Sequence, residues 1–469
     1  MNQNIDYTPD DQPADLIDRF EEMLRKNTEY FFDVDEFDLI IDHYLERLSI
    51  NKCSQAIHMA LKQHPSVVNF MLKKARLLIS SDKAEEALEL LTKIENIEPS
   101  NTDIFITKGS IYSQLKHYNK AIEEYTKAIH DSDELDEIFS NIAYEYENLG
   151  NYKKAIEFLK KVLVYNPEHE SAVYEISFCY EITGNIEKGI EFFGNFLDKH
   201  PYSKATWFNL GIFYNNLELY EKAIECYDFA IAIDDNFPSA YFNKANALAN
   251  LEKYADAIET YEETFLFEDP EALTYYYIGE CYEKLEDYPE ASRYYQKAIK
   301  DDEDFADAWM GLGVVYNEMG KSKTAIRFMN KAIRLDETNP EYWYILGDLQ
   351  SREGLRQQAL LSFKKVIELD PLNPDIWLDY AEVFAAEHDL HKAIQVLDAG
   401  MSEQKDNTSL IYRKVAYLFK LGLLKEAYEK LSQAIHENPT NYKELTEFLP
   451  EIELDPNILQ ILQDINIRE

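Results

Sequence analysis

The sequence predicts an all-α fold, a solenoid of stacked helix pairs, from three regular features. A small residue recurs every 34 residues, twelve times without insertion or deletion, at Cys53, Ala87, Ala121, Ala155, Gly189, Ala223, Ala257, Ala291, Ala325, Ala359, Ala393 and Ala427. Apolar residues at helical spacing lie on both sides of a turn within each period. Glycine and proline recur at two fixed places. Such a period is typical of proteins in which each repeat buries its apolar face against its neighbours.

One repeat, beginning at Lys204, shows why two helices are expected in each period. Its first helix is marked by the i, i+3, i+4, i+7 spacing of Trp207, Leu210, Gly211 and Tyr214. Its second helix follows a short turn and is marked by Ala223, Tyr227 and Ala230. The small residues allow the two helices to approach closely, and the aromatic rings fill the space beside them.

Turn residues indicate where the helices end. Glycine recurs between the two helices of a repeat, where a left-handed C-terminal cap suits it, at Gly150, Gly184, Gly320, Gly354 and Gly422. Proline recurs just beyond the second helix, where it prevents continuation, at Pro65, Pro99, Pro167, Pro201, Pro371 and Pro439.

With these residues at these offsets, the chain resembles the tetratricopeptide-repeat (TPR) family, over twelve repeats that cover 408 of its 469 residues. The resemblance implies a right-handed α-α superhelix, a TPR solenoid of about 24 antiparallel helices whose first helices line a concave groove. The repeat that contains Gly189 departs from the pattern because Phe196 replaces a small residue. Its helix pair is therefore expected to splay locally.

The repeat array is expected to span residues 34–441, between terminal segments that cap it. Residues 1–33 hold a polar, acidic tail and a helix over 13–27, which either caps the array or detaches as an interaction helix. The apolar face of that helix carries Leu16, Phe20, Met23 and Leu24. Residues 442–469 are expected to form capping helices over 442–450 and 457–467. Leu459, Leu462 and Ile465 are expected to seal the last repeat.

Composition argues against several classes of partner and location. The formal net charge of −41 opposes binding to nucleic acid and to anionic membranes. No apolar stretch is long enough to cross a bilayer, so no membrane insertion is expected. The start lacks the basic and apolar regions of a signal peptide, and the 4 cysteines show no CxxC spacing. These features predict a cytoplasmic protein.

No motif of an active site or of a cofactor site is found in the sequence. His388 and His391 have HxxH spacing, but they flank a turn and lack a third ligand, so no metal site is expected. The 61 residues outside the repeats are too few for a catalytic domain. The sequence therefore predicts a protein that is not an enzyme and takes no cofactor.

The groove-facing positions implied by the resemblance carry aromatic, amide and acidic side chains. The aromatic residues, at the fifth and ninth positions of the repeat, are Tyr144, Tyr174, Phe178, Phe208, Phe242, Tyr276 and Tyr344. The amides are Asn141, Asn209, Asn243 and Asn246, and Glu280 adds a carboxylate. Exposed rings often mark binding surfaces, and an amide both donates and accepts hydrogen bonds. The alternative is that these side chains only support neighbouring helices, as is frequent in the family.

Carboxylates outnumber cations at the groove-facing positions, so the groove should be electronegative. The sequence therefore predicts a non-catalytic scaffold that binds a protein or peptide segment, basic or amide-rich, in its concave groove. Two alternatives stay open from the sequence. One is an assembly or regulatory subunit that docks through its convex face or ends into a larger complex. The other is a substrate-recruiting subunit of a separate enzyme, and neither the partner's identity nor the oligomeric state is fixed.

Overall fold

Helices make up most of the chain because apolar residues return at helical spacing and the turns between them are short. The computed structural model describes residues 12–26, 28–47, 49–81, 83–373, 375–405, 407–437, 442–450 and 455–464, and no β-strand occurs in these ranges. This confirms the predicted fold class, an all-α fold built from helix pairs. The chain divides after Asp234 into two compact units, an N-terminal unit and a C-terminal unit.

In the N-terminal unit, consecutive helices contact each other in chain order. They are α1 (Gln12–Lys26), α2 (Val34–Glu46), α3 (Ile50–Gln63), α4 (Val68–Ser80), α5 (Ala84–Glu95), α6 (Thr102–Gln114), α7 (Tyr118–Ala128), α8 (Leu135–Asn148), α9 (Tyr152–Tyr165), α10 (Glu170–Ile182), α11 (Ile186–Leu197), α12 (Lys204–Asn216) and α13 (Tyr220–Ile233).

The C-terminal unit continues the same alternation of first and second helices. Its helices are α14 (Pro238–Asn250), α15 (Tyr254–Glu263), α16 (Ala272–Lys284), α17 (Tyr288–Asp301), α18 (Ala306–Glu318), α19 (Ser322–Leu335), α20 (Pro340–Arg352), α21 (Arg356–Leu369), α22 (Ile376–Ala386), α23 (Leu390–Glu403), α24 (Thr408–Lys420), α25 (Leu424–Glu437), α26 (Tyr442–Phe448) and α27 (Pro456–Asp464). A short 3-10 turn, Thr264–Leu266, extends α15.

The core is built from small residues that meet large ones. All twelve of the small residues that recur every 34 positions are buried, and they lie on second helices. On the first helix of a pair, glycine faces a ring of the second helix, as Gly211 faces Tyr227 and Gly347 faces Phe363. Each ring occupies the volume that a glycine side chain leaves free, so the two helices of a pair approach closely.

The helix pair that contains Gly189 is less closely paired than its neighbours, as expected from Phe196. Helices α10 and α11 contact each other over a shorter stretch than α8 and α9 or α12 and α13, and α10 also contacts α12 directly. Phe193 and Phe196 are both buried beside them, and the ring of Phe193 stacks on that of Phe213 with centroids 5.4 Å apart. Phe196 thus takes up space that a small residue leaves free in other pairs, where the equivalent residue is alanine, as at Ala230 and Ala298.

The turn between the helices of a pair has one backbone conformation. The five glycines predicted to cap first helices all have positive φ, between 64° and 74°. Non-glycine residues adopt the same conformation at equivalent positions, with φ of 58° to 62°, at Lys116, Glu218, Glu252, Glu286 and His388. The turn therefore requires the left-handed region at every one of these places, whatever residue is there.

Replacing a non-glycine residue that has positive φ in one of these turns with glycine should stabilise the protein. Glu218→Gly is expected to raise the free energy of unfolding by about 1 kcal/mol, because glycine has no Cβ to strain the left-handed backbone. The reciprocal change Gly184→Ala should lower it by about 1 kcal/mol. Urea titration followed by circular dichroism measures both. A loss of stability in Glu218→Gly would contradict this account of the turn.

The N-terminal helix covers the first repeat. Phe20 and Met23 of α1 are buried, and the ring of Phe20 lies against those of Phe32 and Phe37 at centroid distances of 5.9 Å and 6.5 Å. This burial supports the capping interpretation of α1 over a detachable helix. The rest of the predicted acidic tail, residues 1–11, lies outside the described residues.

At the other end, two short helices form as predicted, but a different residue is buried. Leu459 is 43% exposed, whereas its neighbour Ile458 is fully buried with Leu445 against α24 and α25. The prediction for Leu459 is therefore wrong, because α27 is rotated by one residue from the expected face. The side chain of Leu462 and residue Ile465 lie outside the described residues.

Candidate interaction surface

Three aromatic side chains are exposed on two successive first helices of the N-terminal unit. Tyr144 on α8 is 56% exposed, and Tyr174 and Phe178 on α10 are 37% and 50% exposed. We call these three residues the aromatic patch. Tyr144 and Phe178 occupy the same position one period apart, and the predicted Asn141 is half-buried one helical turn before Tyr144. Rings this large and this exposed are available to a partner.

Two carboxylates accompany the aromatic patch. The thiol of Cys179 donates a hydrogen bond to Oε1 of Glu147, with a sulfur–oxygen distance of 3.3 Å. Burial raises the pKa of Glu147. Burial also raises the pKa of Glu175 to about 7, and the nearby charge of Glu147 contributes to the shift. No ion pair joins either glutamate to a cation among the residues that the structure describes, so both lack a basic partner.

A pH-dependent stability follows from Glu175. Its pKa rises from 4.5 in the unfolded chain to about 7 in the folded protein. The folded protein therefore holds a proton that the unfolded chain has released, and stability falls as the pH rises through this window. Glu175→Gln removes the free-energy cost of burying a charged carboxylate. We expect it to raise the free energy of unfolding at pH 8 by about 1 kcal/mol, after allowance for solvent screening, with little change at pH 5.

Urea titrations at both pH values measure this effect. The matched control is Glu191→Gln, which removes one carboxylate from an exposed position in the middle of α11. An equal gain at pH 8 in both variants would mean that general charge repulsion, and not the burial of Glu175, sets the effect.

Two predicted site residues of the N-terminal unit are buried. Phe208 is 7% exposed, and its ring lies against those of Tyr174 and Tyr227 at centroid distances of 6.3 Å and 5.9 Å. Asn209 is 3% exposed, and its Nδ2 donates to the carbonyl oxygen of Ala205 at 2.7 Å. A ligand cannot reach side chains that the core encloses. We therefore leave Phe208 and Asn209 out of the candidate surface.

The predicted residues on α14 of the C-terminal unit are half-buried. The ring of Phe242 lies edge-on to those of Tyr261 and Tyr277, at 5.6 Å and 5.8 Å. Nδ2 of Asn243 donates to the carbonyl oxygen of Ser239 at 2.8 Å. Oδ1 of Asn246 accepts a hydrogen bond from the hydroxyl of Tyr261. These side chains are engaged within the protein, as expected if they support neighbouring helices.

The remaining predicted residues of this unit pair with each other or with acids of the next repeat. The hydroxyl of Tyr276 donates to Oε1 of Glu280 at 2.9 Å, and that of Tyr344 donates to Oδ2 of Asp379 at 2.6 Å. Burial raises the pKa of both Glu280 and Asp379. Each carboxylate therefore accepts a hydrogen bond inside the fold, and burial favours its neutral form.

Sequence reasoning missed a set of tyrosine–carboxylate bonds between adjacent repeats. The three pairs are Tyr342 with Asp307, Tyr344 with Asp379, and Tyr417 with Glu382. Each pair is separated by 35 residues, one more than the repeat period. A search for tyrosine and acid at that separation would have found them. Part of the acidic character assigned to partner binding thus joins repeats together.

The described ranges contain no group of three or more His, Cys, Asp or Glu side chains arranged to hold a metal ion. In the same ranges, no helix is both long and apolar enough to cross a membrane. The four cysteines are free and buried.

Comparison with known proteins identifies the repeat. Models described as tetratricopeptide repeat match residues 102–129 and 136–169, 205–237, 242–291 and 278–340, and 352–416. Together they span more than half of the chain. No curated protein matches the sequence.

Several solved structures are similar. The APC/C hetero-tetramer Cut9-Hcn1 is 14% identical over 83% of this chain and 96% of that chain, with a TM-score of 0.41. The C-terminal part of a TPR repeat-containing protein from Cytophaga hutchinsonii is 26% identical over 52% and 99%, with a TM-score of 0.42. YrrB, described as a TPR protein with an unusual peptide-binding site, is 21% identical over 39% and 93%, with a TM-score of 0.32. On the repeat matches, this chain belongs to the tetratricopeptide-repeat family.

Proposed function

We propose that the chain is a non-catalytic scaffold whose first helices bind a basic or amide-rich segment of a partner protein. Membership of a family of protein-interaction scaffolds supports the general role. The proposed site is the aromatic patch, Tyr144, Tyr174 and Phe178, together with Glu147, Glu175 and Asn141. In this proposal it lies on the concave groove of a twelve-repeat array over residues 34–441, capped by residues 1–33 and 442–469.

The observation that carries the proposal is the pairing of exposed rings with carboxylates that have no cation. Tyr144 and Phe178 expose half or more of their surface on adjacent first helices. Glu175 lies between Tyr174 and Phe178 on α10, and it retains a proton near neutral pH because burial disfavours its charge. A lysine or arginine of a partner would stabilise the charged form of Glu175 and could stack on the adjacent rings. Binding would then release the glutamate's proton.

Two further features support the choice of ligand. The amide of Asn141, half-buried on α8, can donate to and accept from a peptide backbone. The net charge of −41 attracts basic segments at long range. Such binding should weaken as salt rises. The buried free thiols favour a reducing compartment, so we place the protein in the cytoplasm.

The test uses the full chain and an array of immobilised dodecapeptides that are lysine-rich, asparagine-rich or glutamate-rich. Tyr144→Ala with Phe178→Ala should weaken binding to the lysine-rich and asparagine-rich peptides by about 2–4 kcal/mol. Circular dichroism should show unchanged helicity. The matched control is Tyr165→Ala with Tyr202→Ala, which removes two rings that are 58% and 83% exposed elsewhere in the same unit.

The control should bind as the wild type does. If Tyr144→Ala with Phe178→Ala leaves binding unchanged, or if the control loses as much, the aromatic patch is not the site. Proton release on binding at pH 7, measured by calorimetry in two buffers, tests the role of Glu175 separately.

A further inference from the structure

Helix α19 carries a row of cations without neutralising acids. Lys323, Arg327, Lys331 and Arg334 follow one another at intervals of four, four and three residues, which places them along one side of the helix. The sequence of α19, SKTAIRFMNKAIRL, contains no aspartate or glutamate. No ion pair involves any of the four cations among the described residues, in a chain whose net charge is −41.

Several cations on the neighbouring second helices, unlike those of α19, form ion pairs with acids of their own helix. On α17, Arg293 pairs with Glu290 at 2.8 Å. On α21, Lys364 and Lys365 lie 3.9 Å and 2.7 Å from Glu368. The four cations of α19 have no such partner among the described residues, so their charges are available to an acidic ligand.

A cavity of about 540 Å³ lies under this row. Its walls include Arg327, Lys331 and Arg334 together with Asn330, and the rings of Trp309 and Phe328 form its apolar part. The two rings lie 5.8 Å apart. The side chains of Trp309 and Phe328 are both half-buried, so a ligand can reach them.

The indole is held in place by its own repeat. Nε1 of Trp309 donates to the carbonyl oxygen of Glu303 at 3.0 Å, and Nζ of Lys331 lies 5.7 Å from the indole centroid. The ring of Phe328 is fixed edge-on by Tyr316 at 5.0 Å. The cavity therefore combines fixed aromatic walls with three cations at its rim, the combination expected of a site for a ligand that is both acidic and partly apolar.

We propose that this surface of α18 and α19 binds an acidic segment of a partner protein. Its carboxylates lie among Arg327, Lys331 and Arg334, and one apolar side chain enters the cavity against Trp309 and Phe328. A protein segment fits better than nucleic acid, because a few cations on a chain of net charge −41 cannot hold a phosphate backbone. This site lies on other helices than the aromatic patch and does not depend on the proposed function.

The test measures binding of fluorescein-labelled hexaglutamate with one central leucine to the full chain by fluorescence anisotropy. Arg327→Gln with Lys331→Gln should weaken binding by about tenfold or more. The matched control, Lys364→Gln with Lys365→Gln, makes the same change of net charge on α21 and should leave binding within about twofold. Replacing the central leucine with glycine should also weaken binding.

Each other outcome overturns the proposal. Absence of saturable binding to the wild type would do so, and so would equal loss in both double variants, which would indicate general electrostatics. If the peptide does not bind but sedimentation equilibrium shows that Arg327→Gln with Lys331→Gln abolishes self-association, the occupant is the acidic face of a second copy. Loss of binding in Tyr144→Ala with Phe178→Ala would show that the acidic peptide binds at the aromatic patch and not at the surface of α18 and α19.

Discussion

Gly211→Leu is expected to unfold the helix pair formed by α12 and α13, lowering the free energy of unfolding by about 4 kcal/mol. A Cβ atom at Gly211 would lie 2.5 Å from Cε1 of Tyr227, closer than any real contact. The ring cannot yield, because Tyr227 is fully buried and lies against Phe208 with centroids 5.9 Å apart. The helices would have to separate, which exposes the apolar faces that hold the repeat together.

Urea titration gives the change in stability, and hydrogen exchange locates it. Amides of α12 and α13 should lose protection first. The matched control is Gly194→Ala on α11, where a Cβ would meet nothing within 4 Å. It should raise the free energy of unfolding by about 1 kcal/mol, the difference in helix propensity between alanine and glycine. A Gly211→Leu protein as stable as the wild type would show that close approach at this glycine is not required.

The repeat geometry could be predicted from the sequence because it depends on local patterns. The positions of Ala223, Tyr227 and Gly211 alone indicate two helices and the side on which they meet. The five capping glycines likewise indicated a left-handed turn, and all five have positive φ. The left-handed conformation of Glu218 and Glu252 was not predicted, because glutamate gives no local sign of it.

Exposure of a repeated position could not be predicted, because it depends on the neighbouring repeat. Tyr174, Phe208 and Tyr412 share the fifth position, yet their exposed fractions are 37%, 7% and 1%. Phe208 is covered by Tyr174 and Tyr227, and Tyr412 by the C-terminal helices that carry Leu445. The repeat period determines the position of a residue on its helix, whereas the residues of the adjacent repeat determine whether its side chain is exposed to solvent.

The carboxylates illustrate the same limit. Carboxylates were expected to make the groove electronegative, and two of them, Glu147 and Glu175, lie on the same first helices as the aromatic patch, with no ion pair among the described residues. Asp307 and Asp379 are also carboxylates, but each accepts a hydrogen bond from a tyrosine of an adjacent repeat. A carboxylate is therefore a binding candidate only where no tyrosine lies within reach, which the sequence period alone does not reveal.

Tyr295→Ala is expected to lower the free energy of unfolding by about 4 kcal/mol, through loss of buried ring contacts and the cavity left behind. The ring lies between two glycines of successive first helices. A Cβ at Gly279 would lie 2.7 Å from its Cδ1, and one at Gly311 would lie 2.6 Å from its Cζ. Tyr295 thus fills the space within its own repeat and the space toward the next, so its removal should loosen α16, α17 and α18 together.

Tyr295→Phe separates the ring from its hydroxyl. The hydroxyl donates to Oε2 of Glu283 at 2.7 Å, and burial raises the pKa of that carboxyl. The phenylalanine variant keeps the packing but leaves Glu283 without this donor, so we expect a loss of about 1–2 kcal/mol at pH 8. The loss should be smaller at pH 5 than at pH 8, because the raised pKa of Glu283 favours its neutral form as the pH falls, and a neutral carboxyl depends less on this donor. Urea titrations of both variants at the two pH values measure these effects. If the phenylalanine variant is as unstable as the alanine variant, the hydrogen bond to Glu283, and not the ring between the glycines, holds these helices together.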